Sequence, residues 1–312
     1  MTNHHIIGIL PCFCMADQPN FVFFHLHGLS FFNQLLEFHD NTFGGVSLLG
    51  EFYQALIEHR PVADFLYRVR DLTCWRLHSS WQMVVACDSL GAIGEKPLDI
   101  AQASARTVGH FSLRVPLIEV IAAGAKPFLI IDALSIEISP YSQNILAGIK
   151  ELAAEIGLQD EVHFNGSMEK NVFPLQTGVG ITVIGLASMD HLQIGTAKSG
   201  DMLLLVGKPK SAPTHEVRIG DSDIVSLQQV EWLRSLDGVH EMVPVGSNGV
   251  MEETRQLADS VRLRALVNDV YEEDAQSGGP HTSMIVSCDL EAVELVMKSL
   301  DCPVRLIGKL VE

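Results

Sequence analysis

Trp81-Gln-Met-Val-Val-Ala-Cys-Asp-Ser-Leu-Gly-Ala-Ile-Gly-Glu-Lys-Pro-Leu-Asp99 is the stretch from which the rest of the chain is read. Its first seven residues follow Ser79-Ser80 and predict a strand. The Gly- and Asp-rich part that comes next is a candidate anion site. Gly91 and Gly94 let backbone N–H groups approach a charged ligand closely, and Lys96 adds a point charge. Asp88 at the strand end can hold a hard cation such as Mg2+, and Asp99 closes the segment. The segment is neither a Walker A loop nor a full GxGxxG fingerprint. An ordinary glycine turn with a solvated lysine therefore stands beside the phosphate reading.

Carboxylates further along give the loop company. Leu117-Ile-Glu-Val-Ile-Ala-Ala-Gly-Ala-Lys-Pro127 belongs to an apolar helix, expected over 115–123, in which Glu119 is the one charge before Lys126. Such a carboxylate either points to solvent or faces inward to a metal, because burying it unpaired is costly. Asp71, in Arg70-Asp-Leu-Thr73, is a third acidic group, and Glu169, in Asn165-Gly-Ser-Met-Glu-Lys-Asn171, is a fourth. Several carboxylates and two Gly-containing loops suit a Mg-polyphosphate site, where the metal offsets charge on bridging phosphate oxygens.

Strands are expected over 128–134 and 179–185. The clearest helix covers 142–156, with Ile145, Leu146, Ile149, Leu152, Ala153 and Ile156 on one face and Gly157 at its end. A second unit begins near residue 190. It contains a strand over 202–206, the loop Gly207-Lys-Pro-Lys-Ser-Ala-Pro213 and helices over 225–236, 251–263 and 290–300, with strands near 242–243, 283–287 and 304–307. This alternation predicts α/β layering in two domains, 70–190 and 191–312. Residues 1–69 are set apart as an N-terminal extension. They hold ten of the fourteen Phe, six of the thirteen His and no Lys, so the activity is not sought there. A packed helical extension, a dimerisation arm and residues upstream of the true start are the competing accounts of it.

Composition narrows the function classes. A formal charge of −17 without a basic run argues against a general nucleic-acid binder. It leaves room for a phosphorylated ligand, which needs only local cations and a metal. The six cysteines form no CxxC pair and read as reduced thiols of a cytoplasmic protein. No apolar run of membrane-spanning length and no basic-then-apolar leader occurs, so no membrane partner is expected.

Taken in order, these segments resemble the aminoimidazole-ribonucleotide-synthetase (AIR-synthase) superfamily of ATP-binding enzymes. Asp71 takes the place of the early Asp of a GDDAA-like motif, and Asp88-Ser-Leu-Gly-Ala-Ile-Gly94 that of a DGVGTK or TDT-type segment. Ile118-Glu119 through Gly124-Ala-Lys-Pro127 takes that of an ND or SD pair followed by GAxP, and Asn165-Gly166-Ser167 that of GGD. The chain departs from the pattern at Glu119, at Ile118 and at Ser167, where the family carboxylate has no unique match. Within the superfamily the segments Asp88 to Asp99, Asn165 to Asn171 and Gly207 to Lys210 are most similar to α-ribazole kinase.

The resemblance implies an α+β fold of two α/β layered domains of the AIR-synthase type. The N-terminal sheet would pair in a homodimer and the C-terminal domain would hold a mixed sheet with helices. It implies ATP and Mg2+ as cofactors, with Asp71, Asp88, Glu119 and Glu169 on the metal. Asp71, Asp88, Gly91, Gly94, Lys96, Asp99, Asn165, Gly166, Lys208 and Lys210 would contact the nucleotide. His215 and the segment Ser277 to His281 would join the two lysines around the acceptor, and His110 and Arg114 would reach phosphate or support the dimer. That acceptor would be a small nucleoside-like alcohol, the 5′-hydroxyl of α-ribazole in cobalamin lower-ligand salvage. An ATP-dependent ligase or dehydratase of the same fold, and a non-catalytic nucleotide-binding regulator, are the alternatives.

Overall fold

Alternating burial along 81–91 and 178–188 builds the first sheet. Val84, Ala86, Val179, Ile181 and Val183 turn one way into the core, while Met83, Val85 and Ile184 turn the other way and stay partly open. The structure is a computed structural model describing residues 55, 57–59, 65–78, 80–268 and 272–312. Its elements, in chain order, are β1 (Leu66–Val69), β2 (Leu72–His78), β3 (Trp81–Gly91), β4 (Ile93–Gly94), β5 (Ala101–Gln102), α1 (Ala105–Ala122), β6 (Lys126–Glu137) and α2 (Pro140–Ala154). There follow β7 (Phe164–Glu169), β8 (Gly178–Ser188), β9 (Met202–Val206), α3 (Leu227–Ser235), β10 (Val239–Pro244) and α4 (Gly249–Ser260). The chain closes with β11 (Arg264–Val267), β12 (Met284–Cys288), α5 (Leu290–Ser299) and β13 (Val304–Val311).

The first sheet has the order β1-β2-β3-β8-β6-β7 and is antiparallel except for the edge pair β6–β7. The second has the order β10-β12-β9-β13-β11. All four of its pairings are antiparallel, so the expectation of a mixed C-terminal sheet is corrected. The reason is topological. The crossover through α3 skips β12 and the one through α5 skips β9, so strands joined by a helix run parallel without becoming neighbours.

Helix α1 lies at the centre. Every residue except Arg106 and Thr107 is buried, as befits a helix that is apolar nearly all round. It packs on β3, β8 and α2 of the first half and on α3 and β10 of the second. One core therefore runs through both halves, with a smaller cluster under α4.

Register brings the chemistry-bearing residues to one end of the first sheet. The β1–β2 turn carries Arg70 and Asp71, β3 ends just past Asp88, and β8 begins opposite Gly91 at Gly178. Strands β6 and β7 end together at the paired Glu137 and Glu169.

Candidate functional site

A cleft of about 1120 Å³ opens at that end of the sheet. One wall is the end of β3 from Asp88 to Gly91, together with Ser104, Thr107 and Phe111 at the start of α1. The facing wall comes from the second half, from residues 211–213 and 215–219, Ser247, and the loop at Gly279-Pro280.

The loop after β3 is held by its own residues. Asp99 accepts from the Thr177 N–H at 2.7 Å, from the Thr177 hydroxyl at 2.6 Å and from the Lys96 N–H at 2.8 Å. Gly94 has φ +154°, and a Cβ there would fall 2.1 Å from Tyr141 Oη and 2.5 Å from Thr177 Oγ1. The Lys96 ammonium sits 2.5 Å from both carboxylate oxygens of Glu137, in a pair largely shielded from solvent. That hydrogen bond holds the Glu137 carboxyl below its usual pKa. Gly94, Lys96 and Asp99 thus build the turn. Gly91, with no atom within 4 Å of where its Cβ would be, lines the cleft.

Behind Asp88 the acidic groups gather around one imidazole. His281 Nε2 lies 3.1 Å from Glu119 Oε1, and its Nδ1 lies 3.1 Å from the Val245 carbonyl oxygen. Glu119 Oε2 is buried without a hydrogen-bond partner. It borders a cavity of about 30 Å³ shared with Arg70, Asp71, Glu253 and His281. Burial, and then the charge of Asp71, raise the Glu253 carboxyl above its ordinary pKa, and His281 works against that rise. Asp88 is also raised, first by burial, with Asp71 adding to the rise and a hydrogen bond from the Ser89 N–H and His281 opposing it. Among the described residues, no three His, Cys, Asp or Glu converge as a ready-made metal cage.

Glu253 was not anticipated, yet its signal is in the sequence. Val250, Glu253, Thr254 and Leu257 recur at i, i+3, i+4 and i+7 on the buried face of α4. Glu252, one position away, is instead paired with Arg255 at the surface.

Other expected residues lie apart from this cluster. Glu169 Oε1 accepts from the N–H groups of Asn171 at 3.0 Å and Lys170 at 2.9 Å, which lowers its pKa. Four strand spacings separate β2 from β7, roughly 19 Å, so Asp71 and Glu169 cannot share one ion. Asn165 and Gly166 border a separate cavity beside Asp132. Lys208 pairs with Asp223 at 3.1 Å, and Lys210 pairs with Asp221 and Asp223 at 2.8 Å each. Neither lysine lines the cleft, whereas His215 and Arg218 do, Arg218 paired with Glu216.

Arg114 is buried, and burial lowers its pKa to about 10. It donates to the carbonyls of Val225, Pro280 and His281, and so clamps the His281 loop onto α1. His110 is buried beside it, its pKa pushed down to about 4 by burial and then by the Arg114 charge.

No family model and no curated protein matches the chain. Solved structures do. The thiamine-monophosphate kinase of Stenotrophomonas maltophilia K279a matches with a TM-score of 0.55 at 16% identity, over 85% of this chain and 93% of that one. The thiamine monophosphate kinase of Aquifex aeolicus matches with a TM-score of 0.57 at 13% identity, over 83% and 92%. PurL of Thermotoga maritima, complexed with ATP, matches with a TM-score of 0.54 at 15% identity, over 80% of this chain and 42% of that one. At these identities the likeness is one of fold alone, a fold shared with the two thiamine-monophosphate kinases and with PurL.

Proposed function

We propose that this chain is an ATP- and Mg2+-dependent phosphotransferase whose acceptor is a nucleoside-like alcohol, the 5′-hydroxyl of α-ribazole. The observation that carries this reading is the position of Asp88, which lines the large cleft and is electrostatically coupled to Asp71 and His281 behind it. A nucleotide in the cleft would thereby meet a reserve of carboxylates at its polyphosphate end. PurL, a structure of similar fold, is complexed with ATP, which supports ATP as the nucleotide.

The donor set fits Mg2+. This ion keeps several waters and takes one or two carboxylates plus phosphate oxygens, so it needs no complete protein cage. Asp88 and Asp71 would hold it, with the unpartnered Oε2 of Glu119 behind them. When bound, it would neutralise charge on the bridging phosphate oxygens. The chain's own part is positioning. The start of α1 reaches the cleft through Ser104 and Thr107, and its first N–H, that of Ala105, already donates to the Glu95 carboxylate at 3.0 Å, so this end is capped by the chain itself. Loop 211–219 closes the opposite side, over the acceptor.

A homodimer belongs to the same proposal. Met83, Val85 and Ile184 leave a partly open apolar face on the first sheet, opposite α1, and a second copy of that face would cover it.

ADP release from ATP and α-ribazole in a coupled assay tests the activity. Asp88→Lys should abolish the rise in melting temperature caused by Mg-ATP, and retained binding would overturn the site. A nucleotide-binding regulator is the second reading. It is favoured by the engagement of Lys96 with Glu137 and of Arg218 with Glu216, which leaves neither cation unpaired toward phosphate. A Mg-ATP-induced stabilisation without phosphorylation of any nucleoside in a panel would select it.

A further inference from the structure

Asp132 lies in β6, on the sheet face covered by α2, and is 7% exposed. Its carboxylate accepts no hydrogen bond from another described residue. It opens onto a cavity of about 200 Å³ between α2, β6 and β7. Leu146, Ile149, Phe164 and Met168 supply apolar walls, and Asn165 and Ser167 supply polar ones.

Gly166 is what lets the carboxylate face this space. It pairs with Asp132 across β6–β7, and a Cβ there would fall 2.2 Å from Asp132 Oδ2. The other charges facing the cavity are Lys150 on α2 and Glu161 in the turn before β7. They bind each other at 2.5 Å, and Lys150 also lies over the Phe164 ring. Of β7, only the uncharged residues 164–168 border the cavity. Asp132 therefore carries an anion that the fold leaves without a hydrogen-bonded cation, and burial raises its pKa to about 6, with its own N–H and the more distant Lys150 charge opposing the rise.

We propose that this cavity binds a small organic cation, an amidinium or protonated amine on a single ring, held by Asp132 and separate from the nucleotide cleft. A buried carboxylate without a partner is costly, and a ligand with paired N–H donors removes that cost through two charge-assisted hydrogen bonds. The apolar walls suit a ring, and the volume suffices, since a cavity of roughly 150 Å³ admits benzene. A metal ion fits less well, because no three metal-binding side chains among the described residues converge there. The site is distinct from the cleft. In register, Asp88 pairs with Ile181 and Ile181 with Asp132, so the buried Ile181 stands between the two carboxylates.

The test is calorimetric titration of the full chain with benzamidine, using benzyl alcohol as the uncharged control. At about pH 8, where Asp132 is ionised, benzamidine should bind one to one, and at about pH 5 it should bind more weakly. Asp132→Asn should weaken binding by about tenfold or more while its melting temperature stays at or above that of wild type. Lys150→Met removes a competing positive charge and should tighten binding. Asp88→Asn should leave benzamidine affinity unchanged. Equal affinity in wild type and Asp132→Asn, equal affinity for benzyl alcohol, weaker binding in Lys150→Met, or no saturable binding of benzamidine would each overturn the proposal.

Discussion

His281 Nε2 stands 3.1 Å from Glu119 Oε1, and this contact joins the second half of the chain to the central helix. The other ring nitrogen faces the Val245 carbonyl oxygen. Both neighbours are acceptors, so the pair must hold two protons between them. Removing His281 strands a buried carboxylate, whereas Glu119→Gln leaves only a neutral amide. His281→Ala should therefore cost about 3–5 kcal/mol in denaturant unfolding, and Glu119→Gln clearly less. Equal losses from the two substitutions would refute this account.

Gly91 and Gly94 resemble each other in sequence and differ in the fold. At Gly94 a Cβ would collide with Tyr141 Oη at 2.1 Å, and φ is +154°. At Gly91 nothing lies within 4 Å. Gly94→Ala should lower thermal stability markedly, because strain and the lost loop hydrogen bonds act together. Gly91→Ala should leave the melting temperature unchanged and weaken only Mg-ATP binding. A stability loss at Gly91 comparable with that at Gly94 would contradict the placement of the two residues.

Most elements were legible because burial follows local periodicity. The helix expected over 142–156 is α2, and the strands expected over 81–87 and 128–134 are the cores of β3 and β6. Helix α1 begins ten residues earlier than the expected 115, at Ala105. Pro116 sits inside α1, where packing on all sides outweighs the missing N–H. Strand β7 was hidden because Asn165-Gly-Ser reads as a loop, and only pairing with β6 makes it extended. For the candidate site, sequence singled out Asp71, Asp88 and Glu119. It did not reveal that Glu253 and His281 join them, since both come from the second half and meet α1 only through the tertiary fold. Nor did it reveal the partner of Lys96, Glu137, which lies forty-one positions away.

The Lys96–Glu137 pair carries its own pH dependence. Glu137 is lowered from 4.5 by the hydrogen bond from Lys96. Its folded pKa is below its unfolded one, so the stabilisation is complete above the ordinary carboxylate range and is lost as pH falls through the folded value. The stability gap between wild type and Glu137→Gln should be present near neutrality and should close on acidification. Lys96→Met should show the same gap while keeping Mg-ATP affinity within about threefold. A far larger loss of affinity would return Lys96 to the phosphate.

Asp132 should show the opposite dependence. Burial raises its carboxyl from 3.8 to about 6, so the folded state favours the proton more than the unfolded chain does. Between those two values the folded state holds the proton that the unfolded chain has released, and stability falls as pH rises. Above pH 6 the cost levels off. Asp132→Asn removes the titration. Its stability relative to wild type should climb from about pH 4 to pH 6 and then stay flat, as read by denaturant midpoints across that range. Because the cost arises from an ionised carboxylate held away from water, a bound cation should reduce it. Benzamidine should thus stabilise the wild type more at about pH 8 than at about pH 5 and should have little effect on Asp132→Asn. A pH-independent gap between the two proteins would show that Asp132 is not the buried anion its surroundings make it.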